Sequence, residues 1–331
     1  MIKFRTEVDI PEFQKKLGYR HYSMIIGSCF AENIGIYLHE LCFPINVNPF
    51  GILYNPISIA NSLEILLNRK KFTEEDLFYS NGLYHSFSHH SRFSGINPAE
   101  MVEQINLNSA QAAHTLKNCK HLFITFGTSW VFKHKISNAV VSNSHKLPSS
   151  IFERYRLSVE QITERWIPLI EQLRTTNPDL HIVFTVSPIR HLKDGAHENQ
   201  LSKSTLILAI DGLISKYGTD IISYFPSYEL VLDELRDYRF YASDMTHPSE
   251  MAVDFIREKF SAAILDKAAK SILAELAKIL PALKHKTLNT NDKAYISFIE
   301  NQIEKANQLQ VKYPFVDLER LMKKLHEKIG D

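Results

Sequence analysis

Four short apolar runs stand out along the chain: YSMIIG (22–27), HLFITFG (121–127), HIVFTVS (181–187) and DIISYF (220–225). Each is rich in β-branched or aromatic residues and lacks strict alternation of apolar and polar positions. Runs of this kind suit strands buried on both faces, as in a parallel sheet covered by helices. Between them the apolar positions fall at helical intervals. PISIANSLEILLNR (56–69) opens on a proline suited to a first helical turn. Residues 98–117 open on Pro98 and Glu100, and 157–174 space Ile162, Trp166, Ile170 and Leu173 along one face. Residues 203–217 predict a further helix, weakened by Gly212. Strands alternating with helices predict βαβ units and a doubly wound α/β fold. Its strand-to-helix loops gather along one edge, where ligand sites of such folds lie.

Three stretches depart from this pattern. Residues 70–97 and 128–156 mix aromatic, histidine and small polar residues without a sustained period, and read as long structured loops or small insertions. Loops of such length in compact domains are often functional. After about residue 262 the chain becomes alanine- and leucine-rich, is broken by Pro281 and the polar run TLNTNDK, and continues as helices near 292–310 and 315–329. The expected division is a domain at 1–261 and a C-terminal helical region at 262–331. Amphipathic helices need a surface to bury against. The core domain and a second subunit, giving a homo-oligomer, are both open for that role.

Composition narrows the functional classes. The 331 residues carry a formal net charge of +1, so the excess of Lys and Arg typical of nucleic-acid binders is missing. No nucleic-acid partner is expected. Three cysteines without a CxxC pair argue against a disulfide framework and against a cysteine-ligated metal site. The opening MIKFRTEVDIPEF shows no secretory signal and no run is long enough to span a membrane, so a cytoplasmic location is expected.

Candidate chemistry sits at two element boundaries. Ser28 directly follows the strand run ending in Gly27 and precedes the helical pattern CFAENIGIYLHE. A hydroxyl there lies near a helix N-terminus, whose free N–H groups can receive an oxyanion. Serine is also a favoured helix cap, and both readings stand on the local sequence. Near the other end, YASDMTHPS places Asp244 three residues before His247 at the entry to a helix. That offset lets a carboxylate hold one ring nitrogen while the other accepts a hydroxyl proton. Gly51, Thr128 and Ser129 are candidate oxyanion or substrate contacts, and His89, His90, Arg92, Arg190 and His191 are candidate cleft residues. Arginine would suit an anionic or polar substrate.

GSCFAENIG (27–35), NPFGILYNP (48–56), HHSRFSG (89–95), FGTSWVF (126–132), SPIRHLKDG with HENQLSKS (187–204) and YASDMTHPS (241–249) together resemble the GSCFA family over roughly residues 1–260. That family is similar to the SGNH, or GDSL-like, hydrolases. The resemblance implies a flavodoxin-like three-layer α/β/α sandwich, here with a C-terminal helical extension, and a Ser-His-Asp mechanism. It implies Ser28 as nucleophile, His247 as base and Asp244 as its orienter. It also implies an oxyanion hole of the Ser28 amide, Gly51 and Ser129. Two departures are evident: Gly27 replaces the aspartate that normally precedes the serine, and Ser129 stands where an asparagine is expected. An O-acyl ester, on a small molecule or a carbohydrate, is the implied substrate, with no metal or organic cofactor. A non-catalytic carbohydrate-binding module and an O-acyltransferase are the alternatives.

Overall fold

The computed structural model describes residues 5–285 and 292–330. Its centre is a five-stranded parallel sheet of β1 (Ser23–Gly27), β2 (Ile45–Val47), β3 (His121–Phe126), β4 (His181–Val186) and β5 (Ile222–Tyr224), in the order β5-β4-β3-β1-β2. This is the flavodoxin-like order, so the three-layer α/β/α expectation holds. All four apolar runs are strands. The sequence reading missed β2, a three-residue edge strand pressed between Pro44 and Asn48, too short to show a run.

Both faces of the sheet are covered. Met24, Ile26, Leu122, Ile124, Phe126, Ile182, Phe184 and Val186 point into one core. That core is closed by α2 (Pro56–Leu67), α3 (Pro98–Asn118), α4 (Val159–Thr176) and α5 (Gly195–Tyr217). Ile25, Phe123 and Val183, one residue out of phase, enter a second core under α1 (Cys29–Glu40) and α6 (Glu250–Ile264). Alternate residues of a strand face opposite sides, which explains why these strands read as unbroken apolar runs. Trp166 of α4 is fully buried, packs on Phe126 and Phe184, and donates its indole N–H to Pro56 O at 3.2 Å.

The two irregular stretches are small β elements. Phe78–Ser80 pairs with Leu83–His85 as a hairpin, and Trp130–His134 pairs antiparallel with Val140–Val141 and Phe152–Arg156. The C-terminal region contains α7 (Lys267–Leu276), α8 (Lys293–Lys312) and α9 (Glu319–His326). Most of the polar break, at 287–291, lies outside the described residues. Ile272, Leu276, Ile299, Leu309, Leu321 and Leu325 are buried in the second core, so their apolar stripes are covered by this same chain. Helix α6 runs across the expected boundary at 261/262. Among the described residues no helix is long and apolar enough to cross a membrane.

Removing the indole at Trp166 would open a large void between α4 and two central strands. Trp166→Ala is expected to cost about 3–5 kcal/mol of unfolding free energy, read from urea denaturation. A loss below about 1 kcal/mol would contradict this packing.

Candidate functional site

The site begins with the exit from β1. Gly27 sits at φ +143°, and a Cβ there would lie 2.3 Å from Thr125 O on the neighbouring strand. Only glycine permits that approach. Its N–H donates to Asn48 Oδ1 at 2.8 Å, and its carbonyl accepts from Leu53 N at 2.9 Å. The chain then turns into α1 with Ser28 as its cap: the hydroxyl oxygen accepts from Phe30 N at 3.2 Å. The cap reading of Ser28 is therefore observed. Ser28 is 1% exposed, buried at the C-terminal edge of the sheet.

Gly127, at the end of β3, packs against Ser28; a Cβ placed on it would lie 3.5 Å from the Ser28 Cβ. Gly127 N and Thr128 N both donate to Tyr54 O, at 2.8 and 3.0 Å. Tyr54 meets His191 edge-on with centroids 6.0 Å apart. Asp244 and His247 occupy an exposed loop before α6. Asp244 Oδ2 lies 2.6 Å from His247 Nδ1, while Oδ1 accepts from Thr246 N and His247 N at 2.9 Å each. These hydrogen bonds hold the Asp244 carboxyl well below the usual carboxylate range. The loop is joined to the segment after β4 by Arg190 N donating to Thr246 O at 3.2 Å. His191, next in the chain, is pushed down to about 4 by burial, with Lys203 and His247 adding to the effect.

Several expected contacts take other roles here. Gly51 N donates to Asn48 O at 2.8 Å within its own turn. Ser129 is fully buried and its hydroxyl donates to Ser202 Oγ at 3.1 Å. Both hydrogens are thus engaged within the chain. The Ser28 N–H faces Thr125 O at a long 3.4 Å. Thr128 Oγ1 accepts from Trp130 N and pairs with Ser202. His89 is 1% exposed, stacked on Phe50 and bonded to Ser86, so it packs the first insertion rather than lining a cleft. Its burial pushes it down to about 3. His90 lies against Gly51, and Arg92 bridges Glu32 and Asn48 O, clamping α1 to the loop after β2.

One residue escaped the sequence reading. Lys203 of α5 is completely buried and donates to Gly127 O and Ser187 O, both at 2.7 Å. It thus ties the ends of β3 and β4 together behind Ser28. Burial pushes the amine down to about 7. The signal was present: Asn199, Ser202 and Lys203 continue the face of Leu206, Ala209, Ile210 and Leu213 back by two turns. Among the described residues, no group of three or more His, Cys, Asp or Glu side chains is arranged to hold a metal. A cavity of about 1230 Å³ lies between α1, β2 and the C-terminal helices, lined by residues such as Tyr37, Cys42, Phe315 and Arg320. None of its lining residues belongs to the Ser28 site.

Two outcomes follow from this geometry. Gly27→Ala is expected to cost on the order of 2–3 kcal/mol in thermal or urea unfolding, because the new methyl meets a backbone carbonyl. An unchanged midpoint would refute it. The unfolded chain keeps the Lys203 proton up to the ordinary 10.5, the folded chain only to about 7. Unfolding therefore takes up a proton across that window, and this group makes stability rise with pH through it. Lys203→Met should flatten the rise between about pH 7.5 and 9 in urea titrations; equal slopes would contradict the assignment.

No curated protein matches the sequence. Among solved structures, an acetyl xylan esterase from the rumen bacterium Butyrivibrio proteoclasticus is similar at 12% identity with a TM-score of 0.31. That match covers 80% of this chain, and the chain spans 66% of the esterase. The signature of the GSCFA family matches residues 23–260, and that of the GSCFA domain protein C-terminal domain matches residues 276–331. The chain belongs to the GSCFA family.

Proposed function

We propose that this protein is a serine hydrolase that cleaves an O-acyl ester. The observation that carries the reading is the Asp244–His247 pair at 2.6 Å, in a loop hydrogen-bonded through Thr246 O to Arg190 N after β4. With Nδ1 held by the carboxylate, Nε2 is the ring nitrogen left to accept a proton. His247 takes the Ser28 proton as the oxygen attacks the ester carbonyl, and the C–O bond to the alcohol breaks. Imidazolium returns the proton to the leaving alcohol, leaving an acyl-Ser28 ester that water then hydrolyses. The oxyanion forms at the N-terminus of α1, where the helix dipole is positive. Gly51 and Ser129 need not contribute.

The Ser28 oxygen accepts from Phe30, and the ring hydrogen bonds of His247 go to Asp244 and Thr246. Proton transfer therefore requires the half-exposed 241–249 loop to close on Ser28, as catalytic contacts often tighten only with substrate. The likeness of the sequence motifs to SGNH-type hydrolases supports this mechanism and makes carbohydrate O-acyl esters the first substrates to test. The committed hydrogens of Gly51 and Ser129 favour the second reading, a non-catalytic module with a hydrolase-like cleft.

A fluorophosphonate is expected to label wild-type protein at Ser28, located by peptide mass spectrometry. Ser28→Ala and His247→Ala should each lower kcat on an acetyl ester by roughly a thousand-fold or more. An unlabelled, folded wild type with no turnover on an ester panel would favour the binding module.

A further inference from the structure

Arg190 is a half-buried guanidinium beside the site, yet no carboxylate pairs with it among the described residues. The acidic groups of the neighbouring elements are engaged elsewhere. Asp194 is held by both terminal nitrogens of Arg154, at 2.6 and 2.5 Å. Glu198 pairs with Arg156 at 3.6 Å, Glu229 accepts from Tyr224 at 2.9 Å, and Asp244 holds His247. The charge of Arg190 is felt by the phenols of Tyr228 and Tyr241, whose ionisation it favours against the opposing effect of burial. Its Nε is buried without an acceptor, and the adjacent His191 Nε2 is likewise buried and unpartnered. Buried polar nitrogens left without a partner are costly, and a native structure that keeps them calls for an explanation.

The position is fixed from both sides. Arg190 N donates to Thr246 O, one residue before the base, and His191 N donates to Asn199 Oδ1 at 2.9 Å. Lys203, also without a carboxylate partner, lies behind the same segment and bonds Ser187 O. This segment therefore carries a guanidinium and buried ring and amine nitrogens for which the chain supplies no carboxylate.

We infer that Arg190 is a specificity-determining residue that selects esters carrying an anionic oxygen group, such as a carboxylate, close to the scissile bond. The inference rests on the hydrolase reading and names the substrate class for that site. The guanidinium offers a planar donor pair matched to a carboxylate. A neutral ester leaves these donors unmet.

The anion can belong to the alcohol or to the acyl group, and two matched pairs of esters separate the sources. The first is an O-acetyl glucuronate against an O-acetyl glucose. The second is a methylumbelliferyl ester of glutarate against one of valerate. For wild type, kcat/KM is expected to favour the anionic member of one pair by about ten-fold or more, and added salt should reduce that ratio. Arg190→Gln should bring the ratio to near one, while Arg190→Lys should keep part of it. Equal kcat/KM within both pairs, or a ratio unchanged in Arg190→Gln, overturns the inference. If wild type turns over no ester, binding of free glucuronate and glutarate to Ser28→Ala decides separately. Binding that Arg190→Gln abolishes sustains the anion site while the hydrolase reading falls. No binding of either anion overturns the site as well.

Discussion

The architecture of this protein turns on one steric constraint, the reversal of the chain at Gly27. There the backbone leaves β1 pressed against the carbonyl of Thr125, in a conformation that a side chain would forbid. Asn48 and Leu53 hold the turn by its own N–H and carbonyl. The next residue is then delivered as the cap of α1, at the carboxyl edge of the sheet and at the positive end of a helix. Gly127 closes in from β3, and β1 lies between β2 and β3, where the chain connections diverge. Ser28 thus stands at the switch point of the sheet, the location at which open α/β folds place their ligands.

A second level of organisation is electrostatic. Lysine is among the residues least often buried, and Lys203 is fully buried without a carboxylate. Its two carbonyl bonds are spent on the ends of the strands flanking the site, so the desolvation of an amine is traded for registration of two loops. The histidine beside it is disfavoured as a cation by burial and by the same lysine. Asp244 is different: its carboxylate is exposed and fixed by hydrogen bonds, leaving it charged over the working pH range. The charged Asp244 and the unpaired Arg190 thus lie on two segments joined by the Arg190 N–Thr246 O hydrogen bond.

The parallel sheet, its covering helices and the boundary positions of Ser28 and His247 were legible because apolar runs and helical spacing are direct consequences of burial. The edge strand at 45–47 was not, since three residues carry no period. The first two turns of α5 were missed because GAHENQLS is polar, and the buried face of α5 there is made of Asn199, Ser202 and Lys203 rather than aliphatic residues. An apolar stripe that turns polar without leaving the interior is itself the mark of a site. At Gly51 and Ser129 the limit of the sequence is of another kind. Spacing places a residue near an edge, but where an N–H or O–H points depends on the nearest acceptor, here Asn48 O and Ser202 Oγ. His89 and Arg92 show the same effect, a chemically suggestive run whose members pack an insertion and clamp a loop.

Everything catalytic in this account depends on the late imidazole reaching the early hydroxyl. A crystal structure of the protein phosphonylated at its reactive serine measures this directly. The account predicts the adduct on Ser28, with His247 Nε2 within about 3 Å of an adduct or serine oxygen and Asp244 still on Nδ1. An adduct on Ser28 with the His247 ring remaining in solvent, beyond about 6 Å, would contradict it.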